Sequence, residues 1–154
     1  MAAMRAAGDG AITCRVRDAT RAMLGRGGNA FTYFFRHTPN SSLNWDARSI
    51  PYFGAFHGAE VPFAFGDQSE LSDDAERALS LSMGCYWRNF IHHGDPNAND
   101  GKCVGGVRPP AWPRYEADAS SQPTLMLDVG GDAALTPVND FKQAQCDMFA
   151  AHRR

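Results

Sequence analysis

The sequence predicts an α/β fold, a mostly parallel sheet with helices on its faces. Three stretches carry that prediction. Ala30 to Phe35 is a nearly unbroken apolar run, which reads as a strand covered on both faces, as in a parallel sheet flanked by helices. Ser72 to Ile91 repeats apolar residues at helical spacing. Thr124 to Asp128 is a second short strand-like run. At 154 residues the chain has the length of one ordinary domain, and its 44% hydrophobic content is enough to form a core.

Met1 to Gly10 is small-residue-rich and reads as a flexible tail. Ile12, Val16, Ala19, Ala22 and Met23 then fall at helical spacing, which predicts a short helix after Cys14 with those residues as its apolar face. The Gly25–Asn29 stretch breaks it, and the strand at Ala30–Phe35 follows. Glu60 to Phe65 predicts one helical turn, since Pro62 is tolerated only early in a helix. In the long helix, Ser72 reads as the N-cap, and Asp73, Asp74 and Glu76 suit its positive end. Leu79, Met83, Tyr86, Trp87, Phe90 and Ile91 form its stripe, and Gly94 with Pro96 stops it. Asn97 to Pro110 is a loop. After the strand at Thr124–Asp128, Gly130–Asp132 is a turn and Asp132–Leu135 a short last strand. Thr136-Pro137 is a strong helix start, with Val138, Phe141, Ala144, Met148 and Ala151 as the apolar face of a final helix.

A formal charge of −2 gives no reason to expect nucleic acid or an anionic membrane as partner. No apolar run approaches the ~20 residues that span a bilayer. The first ten residues hold no apolar core of signal-peptide length, so no export signal is expected in them. Cys14, Cys85, Cys103 and Cys146 allow three pairings, and four free buried thiols are the alternative; there is no CxxC unit to suggest zinc. His57 and Glu60 are three apart but lack a third ligand nearby, and the adjacent His92 and His93 read as a solvated helix end, so no metal site is expected. Asn40-Ser41-Ser42 is a glycosylation sequon, of use only if the chain is secreted.

One segment has the character of a site. His57 stands between Gly54 and Gly58, just before the apolar run to Phe65-Gly66. Imidazole takes and returns a proton near neutral pH, and the glycines let the backbone bend and other atoms approach. Residue type alone leaves a packing role open for it. Trp45, Tyr52 and Phe53 precede it and Phe56 adjoins it; local packing and a pocket wall are both compatible with these aromatics.

His57-Gly58-Ala59-Glu60 with the run to Phe65-Gly66, Tyr86-Trp87-Arg88-Asn89-Phe90 and Gly94-Asp95-Pro96-Asn97 resemble, in order and spacing, the C-terminal quarter of the type-B carboxylesterase (cholinesterase-like) family. Ala111-Trp112-Pro113-Arg114-Tyr115 resembles a short aromatic plug of the same family. The resemblance covers roughly residues 11 to 152 and implies that residues 11–154 are the C-terminal part of an α/β-hydrolase domain, with an incomplete sheet. It implies that His57 is the general acid/base of a serine esterase, that Tyr52, Phe53 and Phe56 line the substrate pocket, and that Glu60 supports the loop by accepting hydrogen bonds. It implies a Cys14–Cys146 bridge, which leaves Cys85 and Cys103 to pair, and hence a secretory compartment. No cofactor is implied; side chains and water suffice. The partners implied are a small ester substrate and the N-terminal part of the hydrolase domain.

The departures from the family pattern are informative. The nucleophile motif Gly-x-Ser-x-Gly occurs nowhere in the 154 residues, and the family's oxyanion glycines and acid lie upstream of the matched region. The chain alone is therefore expected to be inactive. Choline-specific members carry an aromatic after the His-Gly pair, where this chain has Ala59. The same resemblance also fits a non-catalytic binding or adhesion scaffold, although a scaffold has no chemical need for His57.

Overall fold

The computed structural model describes residues 6–40, 54–116, 122–130 and 134–152. Tyr52, Phe53, Trp45 and the Ser41-Ser42 half of the sequon lie outside them. The chain divides into two compact units, one of Met1–Thr32, Pro113–Thr124 and Val138–Arg154, the other of Tyr33–Trp112 and Leu125–Pro137.

In the first unit a π-helical turn at Asp9–Thr13 runs into helix α1, Cys14–Leu24. Residues 6–8 are already helical, and Asp9 is buried and ion-paired to Lys142 at 2.9 Å, so part of the expected tail is ordered helix. Helix α1 forms where the spacing predicts it but buries the opposite face. Ile12, Val16 and Met23 are exposed, whereas Cys14, Arg17 and Thr20 are buried. Specific bonds outweigh the apolar stripe. Cys14 is disulfide-bonded to Cys146, and Arg17 donates to Phe141 O at 2.8 Å and to Gln122 Oε1 at 3.2 Å. The strand-like run starting at Ala30 makes an antiparallel bridge between Ala30 and Tyr115.

Strand β1, Tyr33–Phe35, opens the second unit. It pairs in parallel with β2, Pro123–Leu127, in the register Tyr33 to Leu125, Phe34 to Met126 and Phe35 to Leu127. The parallel pairing agrees with the predicted class. Leu125, Met126 and Leu127 are buried, but β1 is only partly covered, with Tyr33 exposed. Strand β3, Thr136–Asn139, completes the order β1-β2-β3.

Two expectations fail at this end of the chain. Residues 134–135 form a turn, with Leu135 at a φ of 51°, rather than a strand. Thr136-Pro137 lies in β3 rather than opening a helix. The Asp140 N–H donates to Gln122 O and the Gln122 N–H to Asp140 Oδ1, both at 3.0 Å, which holds this stretch extended. Proline is tolerated there because β3 ends the sheet order. The final helix, α4 in the numbering that follows, spans only Gln143–Ala151 and buries Cys146 alone.

Helix α2, Val61–Phe65, carries Pro62 in its first turn and ends on Gly66 at a φ of 68°, as its sequence suggests. Helix α3, Asp74–His93, ends on Gly94 at a φ of 69°, whose N–H reaches Phe90 O at 2.8 Å. Its N-cap is Asp73 rather than Ser72: Asp73 Oδ1 accepts the Glu76 N–H at 2.8 Å. Ser72 turns instead to the Glu76 carboxylate, donating from both its N–H and its hydroxyl. Leu79, Met83 and Tyr86 face inward as expected, but Phe90 and Ile91 are exposed. Trp112 is buried as a plug, with ring centroids 5.2 Å from Tyr86 and 5.7 Å from Trp87.

The Asp73 cap has a measurable consequence. Asp73→Ala removes the side-chain acceptor that caps the Glu76 N–H at the start of α3 and is expected to cost about 1 kcal/mol. A shift of that size in the urea midpoint of the full-length protein, at unchanged slope, is the check.

Candidate active site

The site is built where the two parallel strands end. Chain leaves β1 through Arg36 and His37, whose N–H groups both reach Leu127 O, at 2.9 and 3.3 Å. Asp128 follows β2 at the same edge, since the strands run in the same direction. In open parallel sheets ligands bind beyond the carboxyl ends of the strands. Arg36 Nε donates to Asp128 Oδ2 at 2.8 Å, and His37 Nδ1 lies 3.5 Å from Asp128 Oδ1. The other ring nitrogen, Nε2, donates to Glu76 Oε1 at 2.8 Å.

Glu76 is fully buried. Its carboxylate also accepts from the Asn40 N–H at 2.7 Å, the Ser72 N–H at 2.8 Å and the Ser72 hydroxyl at 2.9 Å. Burial pushes this carboxyl up; the hydrogen bonds from His37, Asn40 and Ser72 outweigh it and hold Glu76 below its ordinary value. The His37 ring packs edge-on against Phe63 of α2 at 5.5 Å, and Phe35 lies 5.2 Å from Phe63. One buried imidazole thus ties β1, β2, α2 and α3 together.

The His57 loop precedes α2. Gly54 and Gly58 have φ of +61° and +88°, which side-chain-bearing residues rarely adopt. Successive turns close through Phe56 N–H to Gly54 O, Ala59 N–H to Phe56 O and Val61 N–H to Gly58 O, at 3.0 to 3.1 Å. Ala59 and Phe63 are buried, and the Ser80 hydroxyl of α3 donates to Phe63 O at 2.8 Å. So the backbone on the C-terminal side of His57 is anchored while His57 itself is exposed. Among the described residues, no hydrogen bond or ion pair engages its ring. Phe56 is half-buried beside it.

Glu60 is half-buried and makes no side-chain hydrogen bond among the described residues. Its carboxylate, after burial itself, helps to push the Tyr33 phenol above its ordinary value. Asn40 is exposed, with its amide donating to Asp73 Oδ2 at 2.7 Å. The cysteines pair as Cys14–Cys146 and Cys85–Cys103. No metal-binding cluster of His, Cys, Asp or Glu occurs among the described residues.

His37, Glu76 and Asp128 were not among the candidate site residues of the sequence. One signal pointed to them. Glu76 falls on the same helical stripe as Leu79, Met83 and Tyr86, and a carboxylate on a core-facing stripe needs a partner.

The model of the carboxylesterase family matches residues 1–149. Acetylcholinesterase 1 of Caenorhabditis elegans is 34% identical over 114 residues, 71% of this chain and 17% of that protein. Acetylcholinesterase of Gallus gallus is 34% identical over 111 residues, 70% of this chain and 13% of its own. Carboxylesterase 4A of Bos taurus is 43% identical over 78 residues, 49% of this chain and 12% of its own. The chain thus spans less than a fifth of each of these relatives. Among solved structures, an esterase from Clostridium hathewayi that hydrolyses aliphatic aromatic polyesters superimposes with a TM-score of 0.64 at 18% identity, over 88% of this chain and 24% of that one. A PNB esterase superimposes with a TM-score of 0.52 at 24% identity, over 77% and 21%.

Proposed function

The chain belongs to the carboxylesterase family and carries part of an α/β-hydrolase fold, and from that premise we propose that it supplies the histidine of a serine carboxylic-ester hydrolase. The observation that carries this reading is His57 itself: an exposed imidazole on a loop held by two left-handed glycines and the buried Ala59. In the proposed reaction His57 takes the proton from a serine hydroxyl as that oxygen attacks the ester carbonyl. It hands the proton to the departing alcohol, then repeats the cycle with water to free the acid. The serine, its acid and the oxyanion donors come from residues of the full-length protein outside these 154, which contain no Gly-x-Ser-x-Gly. Phe56, with Tyr52 and Phe53, forms part of the pocket wall.

The outward-facing apolar side chains support this division of labour. In the first unit they include Ile12, Val16 and Met23; in the second, Val61, Phe65, Phe90 and Ile91. They are the surfaces that the rest of the hydrolase domain covers. Two disulfides favour an oxidising, secretory compartment, where Asn40 would be available for glycosylation. Among the described residues no helix is long and apolar enough to cross a membrane.

A fluorophosphonate probe tests the assignment. The full-length protein is expected to be labelled on a serine outside this chain, and residues 1–154 alone to remain unlabelled. An adduct on any serine of this chain overturns the reading. A full-length protein that takes no label at all favours the non-catalytic scaffold.

A further inference from the structure

We propose that the Cys85–Cys103 disulfide is a thiol-exchange site, where a small anionic thiol forms a mixed disulfide on Cys103. Both cysteines line an open cleft of about 200 Å³, bounded by α3 and the segment after it. Cys85 is buried, whereas Cys103 is partly exposed. The other bridge differs, since Cys14 and Cys146 are both buried. An incoming thiolate therefore meets Cys103 first.

The cleft holds a group suited to the leaving sulfur. Asn89 is buried, and its Nδ2 lies 3.6 Å from Cys85 Sγ and 3.9 Å from Cys103 Sγ. Its Oδ1 accepts from Arg88 at 3.0 Å, which fixes the amide so that its N–H groups face the sulfurs and Pro96 O. An N–H donor is worth more to a thiolate than to a neutral sulfur, because hydrogen bonds to charged partners are the stronger ones. Arg108 is the one charged residue lining the cleft. It is exposed and has no ion-pair partner among the described residues, whereas Arg88 is neutralised by Asp100 at 2.8 Å. The lining thus attracts an anion.

The exchange balances without an added oxidant. The thiolate sulfur attacks Cys103 Sγ; a new S–S bond forms there, the Cys85–Cys103 bond breaks, and the electron pair leaves on Cys85 Sγ beside Asn89. Return attack by Cys85 on Cys103 expels the small thiolate and restores the bridge. A second small thiolate attacking the mixed disulfide instead releases Cys103 and leaves both cysteines reduced, with the small thiol oxidised to its disulfide. The segment does not depend on the bridge alone. Asn97 and Trp112 exchange hydrogen bonds at 2.6 and 2.9 Å, and the Tyr86 hydroxyl donates to Pro110 O at 2.6 Å, so exchange proceeds in the folded state.

The test uses the full-length protein in millimolar reduced glutathione, or in neutral 2-mercaptoethanol, without denaturant, with acid quench, alkylation and peptide mass spectrometry. Expected is one glutathione on Cys103, an alkylatable Cys85, and an intact Cys14–Cys146 bridge. Arg108→Glu, on the surface, should slow the glutathione reaction on the order of tenfold and the 2-mercaptoethanol reaction clearly less, because the glutathione thiolate carries the larger negative charge. Glutathione appearing first on Cys14 or Cys146, or on Cys85, overturns the proposal. So does an exchange seen only under denaturing conditions, or an Arg108→Glu variant that affects both thiols alike.

Discussion

Replacing His57 by glutamine in the full-length protein is expected to lower kcat on a small chromogenic ester by about 10⁶-fold, the scale of losing a triad histidine in a serine hydrolase. KM should move little, because the imidazole acts on the proton in flight rather than on the bound ester. The variant should fold normally. Within this chain the ring is exposed and makes no hydrogen bond among the described residues, and glutamine keeps an amide N–H for the carboxylate proposed to hold it. Circular dichroism and the urea midpoint of the variant check that point. The contrast comes from Gly58, whose φ of +88° is what lets the loop turn at His57. Turnover by the His57→Gln protein within tenfold of the parent would remove His57 from the mechanism.

Much of this arrangement was legible in the chain because it rests on local chemistry. Pro62 sits in the first turn of α2, Gly94 stops α3, and the apolar run at Tyr33–Phe35 pairs in parallel, each for reasons contained within a few residues. The glycines flanking His57 likewise predict the sharp bends that Gly54 and Gly58 make, whereas the role proposed for His57 comes from the family resemblance. What was not legible depended on partners distant in sequence. The stripe of α1 points outward because Cys14 and Arg17 are held by Cys146, Phe141 and Gln122, more than a hundred residues away. Thr136-Pro137 reads locally as a helix start, yet the paired bonds of Asp140 and Gln122 hold the stretch extended. Residue type set the N-cap of α3 one position early, because Ser72 had a better acceptor in the Glu76 side chain than a capping role.

Glu76 is where the largest stability effect should lie. Glu76→Gln removes the charge that four donors face: His37 Nε2, the Asn40 N–H, the Ser72 N–H and the Ser72 hydroxyl. Glutamine keeps the shape but offers one carbonyl oxygen, and its NH₂ group meets donors. Breaking a buried, fully bonded pair of this kind costs about 3–5 kcal/mol. The pH dependence has a definite sign. The folded value of Glu76 lies below its ordinary 4.5, so the unfolded chain binds the proton more readily. Its contribution to stability is complete above the unfolded value and is lost as pH falls through the folded one. His37, Arg36, Asp128, Asp73 and Arg77 are the other charged or titratable groups around it, and all of them remain in the variant. Urea midpoints of the parent should therefore drop between about pH 5 and pH 3 more steeply than those of Glu76→Gln, as linkage requires. Equal slopes would mean that Glu76 titrates alike in the folded and unfolded protein, and a shallower drop in the parent than in the variant would mean that folding raises its value.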